Sequence, residues 1–170
     1  IAEWEPITIT ITLDKQGGSG GTDKFYYKYG INKFYSNSAC TTEITAITKP
    51  TKTGYTFVCW NNGDKEWDFD VDTIDASIKL TAVWVEKYFI VEFNSNGGTG
   101  SISAIENVLD SKIELPSWDG LTAPANKMFD SWNTSSDGSG ISYQAGDIVT
   151  LTEDLVLYAI WIDNPPVEMT

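Results

Sequence analysis

"TKTGYTFVCW", residues 51–60, ends on a Phe-x-x-Trp segment, and "ANKMFDSW", residues 125–132, ends on another. Phe57 and Trp60 in the first answer to Phe129 and Trp132 in the second. Two further pairs of landmarks flank them in the same order. Upstream, "ITLDKQGGSGG" (11–21) and "VEFNSNGGTGS" (91–101) each run from a strand-like segment into a Gly-Gly turn, so Gly17 answers to Gly97. Downstream, "LTAVW" (80–84) matches "LYAIW" (157–161), which pairs Trp84 with Trp161. Landmarks that recur in a fixed order mark a tandem duplication, with the longer early loop in the first copy. The chain reads as two units, 1–86 and 87–162, meeting near Val85–Lys87. Residues 163–170 read as an extended tail or linker, because Pro165 and Pro166 cannot continue a central strand.

Each copy reads as mainly β. "ITITITL" alternates, with Ile7, Ile9, Ile11 and Leu13 on one face and Thr8, Thr10 and Thr12 on the other. "YFIVEF" places Phe89, Val91 and Phe93 inward. Leu80, Ala82 and Trp84 share a face near the end of the first copy, as do Leu155, Leu157, Ala159 and Trp161 in the second. The Gly-Gly pairs, "NNGD" and "SSDGSG" supply turns. "SAIE" (103–106) has the form of a capping box, which favours a helical turn, while "ENVLDSKIELP" also reads as strand, Asp-Ser turn, strand. The strand reading is preferred, and no helix beyond about two turns is expected.

Composition restricts the chemistry. The chain has 170 residues, eleven lysines, no arginine and no histidine, against 24 carboxylates, for a net charge of −13. Eight lysines face eleven acids up to residue 85, and three face thirteen beyond it, so the negative field is concentrated in the second half. Such a field repels phosphate backbones, and the planar cation that grips them best is missing, which argues against nucleic-acid binding. Without histidine the commonest general base and metal ligand is absent. No run of residues is apolar for long enough to cross a bilayer as a helix. The chain begins at Ile1 without a leader, which reads as a mature fragment or an excised piece and leaves secretion open.

The second copy, from "FNSNGGTGSISAIENVLDSKIELP" to "LTEDLVLYAIW", resembles the Listeria-Bacteroides repeat, the module of the internalin B-repeats. The first copy, with "KPTKTGYTFVCW" and "LTAVW", looks like a longer-looped variant. The resemblance covers nearly all of residues 7–162 and rests on the Gly-Gly turn, Gly-Tyr-x-Phe-x-x-Trp and Leu-x-Ala-x-Trp together. Cys59 stands where the family commonly has Gly, and "NKMF" replaces "GYTF" in the second copy. The resemblance implies small β-grasp-like units strung in arrays on exported bacterial surface proteins. It implies no catalytic residues and no cofactor, with neighbouring repeats in the same chain as the immediate partners. A fragment of this kind is expected to be monomeric.

On this reading Phe57, Trp60 and Trp84 are core of one unit, and Phe129, Trp132 and Trp161 core of the other. Burying one such ring is worth roughly 2–3 kcal/mol, which matters in a small domain. The expected role is a non-catalytic spacer at the cell surface. The alternative is an adhesion module contacting a host protein or glycan through exposed tyrosines and acids. Its best candidate is "KFYYKYG" (24–30), where Tyr26, Tyr27 and Tyr29 would combine apolar area with hydroxyls. "EWDFDVDTID" spaces Asp68, Asp70 and Asp72 by two, but an EF-type loop would need Gly and Glu where Thr73 and Lys79 stand. The segment is read as a strand with Trp67, Phe69 and Val71 inward and the aspartates in solvent. "GGSGGTDK" lacks the ending of a phosphate loop. Cys40 and Cys59 lie in the first copy only; free thiols are preferred to a disulfide, because the second copy folds without cysteine. "NTS" (133–135) is a glycosylation sequon by pattern alone.

Overall fold

The structure, a computed structural model, describes residues 6–166. It divides into two compact units, Ile1–Glu86 and Lys87–Thr170. No helix occurs among the described residues.

The first unit contains β1 (Thr8–Asp14), β2 (Lys24–Lys28), β3 (Lys33–Tyr35), β4 (Glu43–Ile44), β5 (Tyr55–Asn61) and β6 (Ile78–Glu86). They form one sheet in the order β4-β3-β2-β1-β6-β5. β1 and β6 run parallel, with Leu13 opposite Leu80, and every other pairing is antiparallel. A parallel pair cannot be closed by a tight turn, so the rest of the unit is threaded between its first and last strands. The alternation of β1 buries Ile9, Ile11 and Leu13, whereas Ile7 lies ahead of the strand and is exposed, contrary to its expected inward position.

The second unit contains β7 (Tyr88–Asn94), β8 (Thr99–Gly100), β9 (Ile105–Val108), β10 (Lys112–Glu114), β11 (Leu121–Thr122), β12 (Lys127–Asn133), β13 (Ser142–Tyr143), β14 (Ile148–Thr150) and β15 (Leu155–Asp163). Its main sheet runs β13-β12-β15-β7-β9, again with the first and last long strands, β7 and β15, parallel. The four-strand order β9-β7-β15-β12 repeats β2-β1-β6-β5, a grasp-like arrangement without the helix. One face is covered by the β10–β14 ribbon, whose Ile113 and Val149 pack with Leu115, Leu121 and Leu151 on Val91, Trp132 and Leu157. "SAIE" forms no helical turn, because Ile105 pairs with Val91 in the sheet. The strand-turn-strand reading holds, with Asp110 in the left-handed region at φ 64. The two strands nevertheless join different sheets, β9 against β7 and β10 against β14.

The spacing of Phe-x-x-Trp has a specific cause. In a regular strand, residues three apart point to opposite faces. In β5, Phe57 lies opposite Trp84 and Trp60 opposite Ala82, with a bulge between Phe57 and Cys59. In β12, Phe129 lies opposite Trp161 and Trp132 opposite Ala159, with the bulge between Phe129 and Ser131. One extra residue per strand, Val58 or Asp130, puts both aromatic rings on the core face.

The "WDFDVD" segment is not a strand. Residues 67–72 form a turn in which Val71 is 77% exposed and Asp72 is turned partly inward. Asp163, assigned to the tail, is still part of β15 and pairs with Lys127 Nζ at 2.8 Å. Residues 167–170, the end of the expected extended tail, lie outside the described residues.

Candidate functional site

The repeated aromatic residues assemble the same way in both units. Phe57 meets Trp60 and Trp84 edge-on at 5.3 and 5.5 Å between ring centroids. Phe129 meets Trp132 and Trp161 edge-on at 5.1 and 5.8 Å. Trp60 and Trp132 are buried, and Trp84 and Trp161 half-buried. The two half-buried indoles spend their N–H groups alike: Trp84 Nε1 donates to Lys15 O at 2.9 Å and Trp161 Nε1 to Ser95 O at 2.8 Å. Each lies over the second glycine of the Gly-Gly turn. A Cβ on Gly18 would meet Trp84 Cζ2 at 2.6 Å, and one on Gly98 would meet Trp161 Cζ2 at 2.7 Å. The sequence landmarks thus meet in space as one brace between turn and last strand, with no chemistry of their own beyond packing and hydrogen bonding.

The tyrosine candidates separate. Tyr26 and Tyr27 are half-buried neighbours on β2 and so face opposite sides of the sheet, and Tyr29 is 41% exposed. Tyr27 and Tyr29 share a cleft of about 650 Å³ with Asn32, Phe34, Asp70 and Asp72, and the Tyr27 hydroxyl donates to Asn32 Oδ1 at 2.5 Å. Tyr26 is not among the lining residues.

The three aspartates hold a turn together. Asp72 Oδ2 accepts from the Asp68 backbone N–H at 2.9 Å, its Oδ1 pairs with Lys65, and Asp68 Oδ1 accepts from Asp70 N–H at 2.8 Å. The Lys65 hydrogen bond and the Asp68 N–H hold the Asp72 carboxyl below its ordinary range. The second unit uses the same device: Asp147 Oδ2 accepts from Gln144 N–H at 2.7 Å. Period-two spacing suggested a strand because it matched alternation. The signal that would have found the turn was the repeat itself, since the counterpart "QAGD" does not alternate. No group of three or more potential metal-ligating His, Cys, Asp or Glu residues comes together among the described residues.

Cys40 and Cys59 are free thiols, both half-buried, and burial followed by the charge of Glu66 pushes the Cys59 thiol up. Asn133 of the sequon is fully buried. Its Nδ2 donates to Gly138 O, Gly140 O and Ser142 Oγ, and its Oδ1 accepts from Ser135 and Gly140 N–H. An amide so engaged cannot carry a glycan, and its role is to fold the 134–142 loop. Within that loop Asp137, bonded by Ser139 and Ser135, has its carboxyl lowered to about 2.

The comparisons with known proteins follow the same division. The Listeria-Bacteroides repeat domain matches residues 10–83 and again residues 89–160. Two relatives from Evansella cellulosilytica align along 96% of the chain. One, named "Putative membrane protein", is 27% identical, and the other, named "Putative Gly-rich membrane protein", is 28% identical. The chain spans 24% and 17% of the lengths of these two relatives. No solved structure matches it. No helix among the described residues is long and apolar enough to cross a membrane. With two matches covering most of its length and one brace built twice, the chain belongs to the Listeria-Bacteroides repeat family, as two tandem copies.

Proposed function

We propose that this pair of repeats is a non-catalytic spacer in an exported bacterial surface protein. The observation that carries the reading is that what the two copies share is scaffold: the bulge, the Trp–Gly brace and the carboxylate-held turn. Relatives several times longer, with membrane-protein names, support a module set within a larger envelope protein. Without His or Arg the usual carriers of acid–base chemistry and oxyanion binding are missing, which supports a role without catalysis or a cofactor. Deleting the pair from its parent protein should bring the distal part closer to the cell surface while leaving export intact. Unchanged reach, measured by accessibility of a distal epitope to antibodies of graded size, would contradict the spacer role.

A second reading, adhesion to a host protein or glycan, is favoured by the cleft that places Tyr27 and Tyr29 beside Asp70 and Asp72. It requires that Tyr27→Ala with Tyr29→Ala reduce attachment of cells displaying the parent protein without lowering its display.

A further inference from the structure

Phe129 has a third ring partner with no equivalent at Phe57 among the described residues. Trp118 stacks on Phe129 at 6.0 Å with an interplanar angle of 15°, and also meets Trp161 edge-on at 6.3 Å. Among the described residues Phe57 has only its two edge-on partners, Trp60 and Trp84. The position can be matched through the backbone. Ser19 bridges Thr51 in the first unit as Thr99 pairs with Thr122 in the second. Four residues before Thr51 stands Ile47, and four before Thr122 stands Trp118. An aliphatic side chain therefore occupies the place of an indole, and beside it opens a cleft of about 650 Å³ lined by Ile47, Lys49, Phe57, Trp60, Trp67 and Phe69.

The rim of this cleft says what would enter it. Glu66, Asp68 and Asp70 also line it against the single cation Lys49, whose Nζ stands 5.7 Å from the Phe57 ring centroid. The rim is therefore acidic and suits a cationic flank.

We infer that the first repeat carries a docking cleft for a peptide segment that presents an aromatic side chain flanked by lysine or arginine. The ring stacks on Phe57 as Trp118 stacks on Phe129, and the basic flank meets Glu66, Asp68 and Asp70. The inference adds a contact surface to the spacer and does not depend on that role being correct. A sugar could also lie on an aromatic wall, and the test separates the two.

The two-repeat chain is titrated with capped Lys-Trp-Lys, with capped Lys-Ala-Lys and with a chitin trisaccharide, following the indole N–H resonances of Trp60 and Trp67 by NMR. Saturable shifts with Lys-Trp-Lys, at least about tenfold weaker with Lys-Ala-Lys, are expected. In Ile47→Trp the cleft is filled from within, so the shifts should vanish and the first repeat should melt higher. Lys49→Ala, an exposed change that clears the Phe57 face, should keep or tighten binding, and provides the reading if Ile47→Trp does not fold. No saturable shift with Lys-Trp-Lys, equal binding of Lys-Ala-Lys, or a response to the trisaccharide alone would overturn the inference.

Discussion

Asn133 shows how much one residue can organise. Five hydrogen bonds converge on its buried amide, and together they set the course of the 134–142 loop. Asn133→Ala leaves buried groups without partners, at about 1–3 kcal/mol for each one that water cannot reach. The second unit should therefore lose several kcal/mol in denaturant unfolding, more than Trp84→Phe, which sacrifices one N–H bond in the first. Asp137, in the same loop, gives a pH signature. Its folded-state carboxyl sits at about 2, below the ordinary 3.8, because Ser139 and Ser135 donate to it. A carboxyl depressed in the folded state contributes fully above its unfolded value, and the contribution is lost as the pH falls through the folded one. Protection of the Ser139 amide against hydrogen exchange should thus hold at pH 5 and decline between about pH 4 and pH 2.

The decisive element is the bulged strand. Removing the bulge residue from β5 would leave Phe57 and Trp60 two positions apart, still on one face and in register with Trp84 and Ala82. Deleting Val58 should therefore leave the first unit folded with Trp60 still buried, and Val58→Ala, at a half-exposed position, should cost well under 1 kcal/mol, both by circular-dichroism melts. The strands that carry the landmarks were legible in the sequence, because alternation and terminal tryptophans are local signals. The bulges were not, since a bulge is defined against the partner strand. The "WDFDVD" turn escaped for a related reason: Lys65 and the Asp68 N–H decide where Asp72 points, and periodicity carries no trace of either. In the candidate site, Tyr26, Tyr27 and Tyr29 could be read from composition, but the alternation of β2 parts Tyr26 from the others. Trp118 carries no signal in the sequence, because its meaning lies in a comparison of the two copies in space.

At the scale of the whole molecule, each unit has its own core. One is built on Ile11, Phe25, Trp60 and Leu80, the other on Val91, Leu115, Trp132 and Leu157. Both have a sheet closed by a parallel pair of first and last strands, so each unit contains the start and the finish of its own fold. This is the property that a repeat used as a spacer requires, since units can be added or removed without dismantling their neighbours. The most direct test is native-state hydrogen exchange on the two-repeat chain carrying Trp132→Ala, a truncation expected to cost roughly 3–5 kcal/mol. The account predicts that amide protection collapses across β7, β12 and β15 and stays at its original level across β1, β5 and β6, with Trp60→Ala giving the mirror result. Loss of protection in both units from either substitution would show a single shared folding unit and contradict the account.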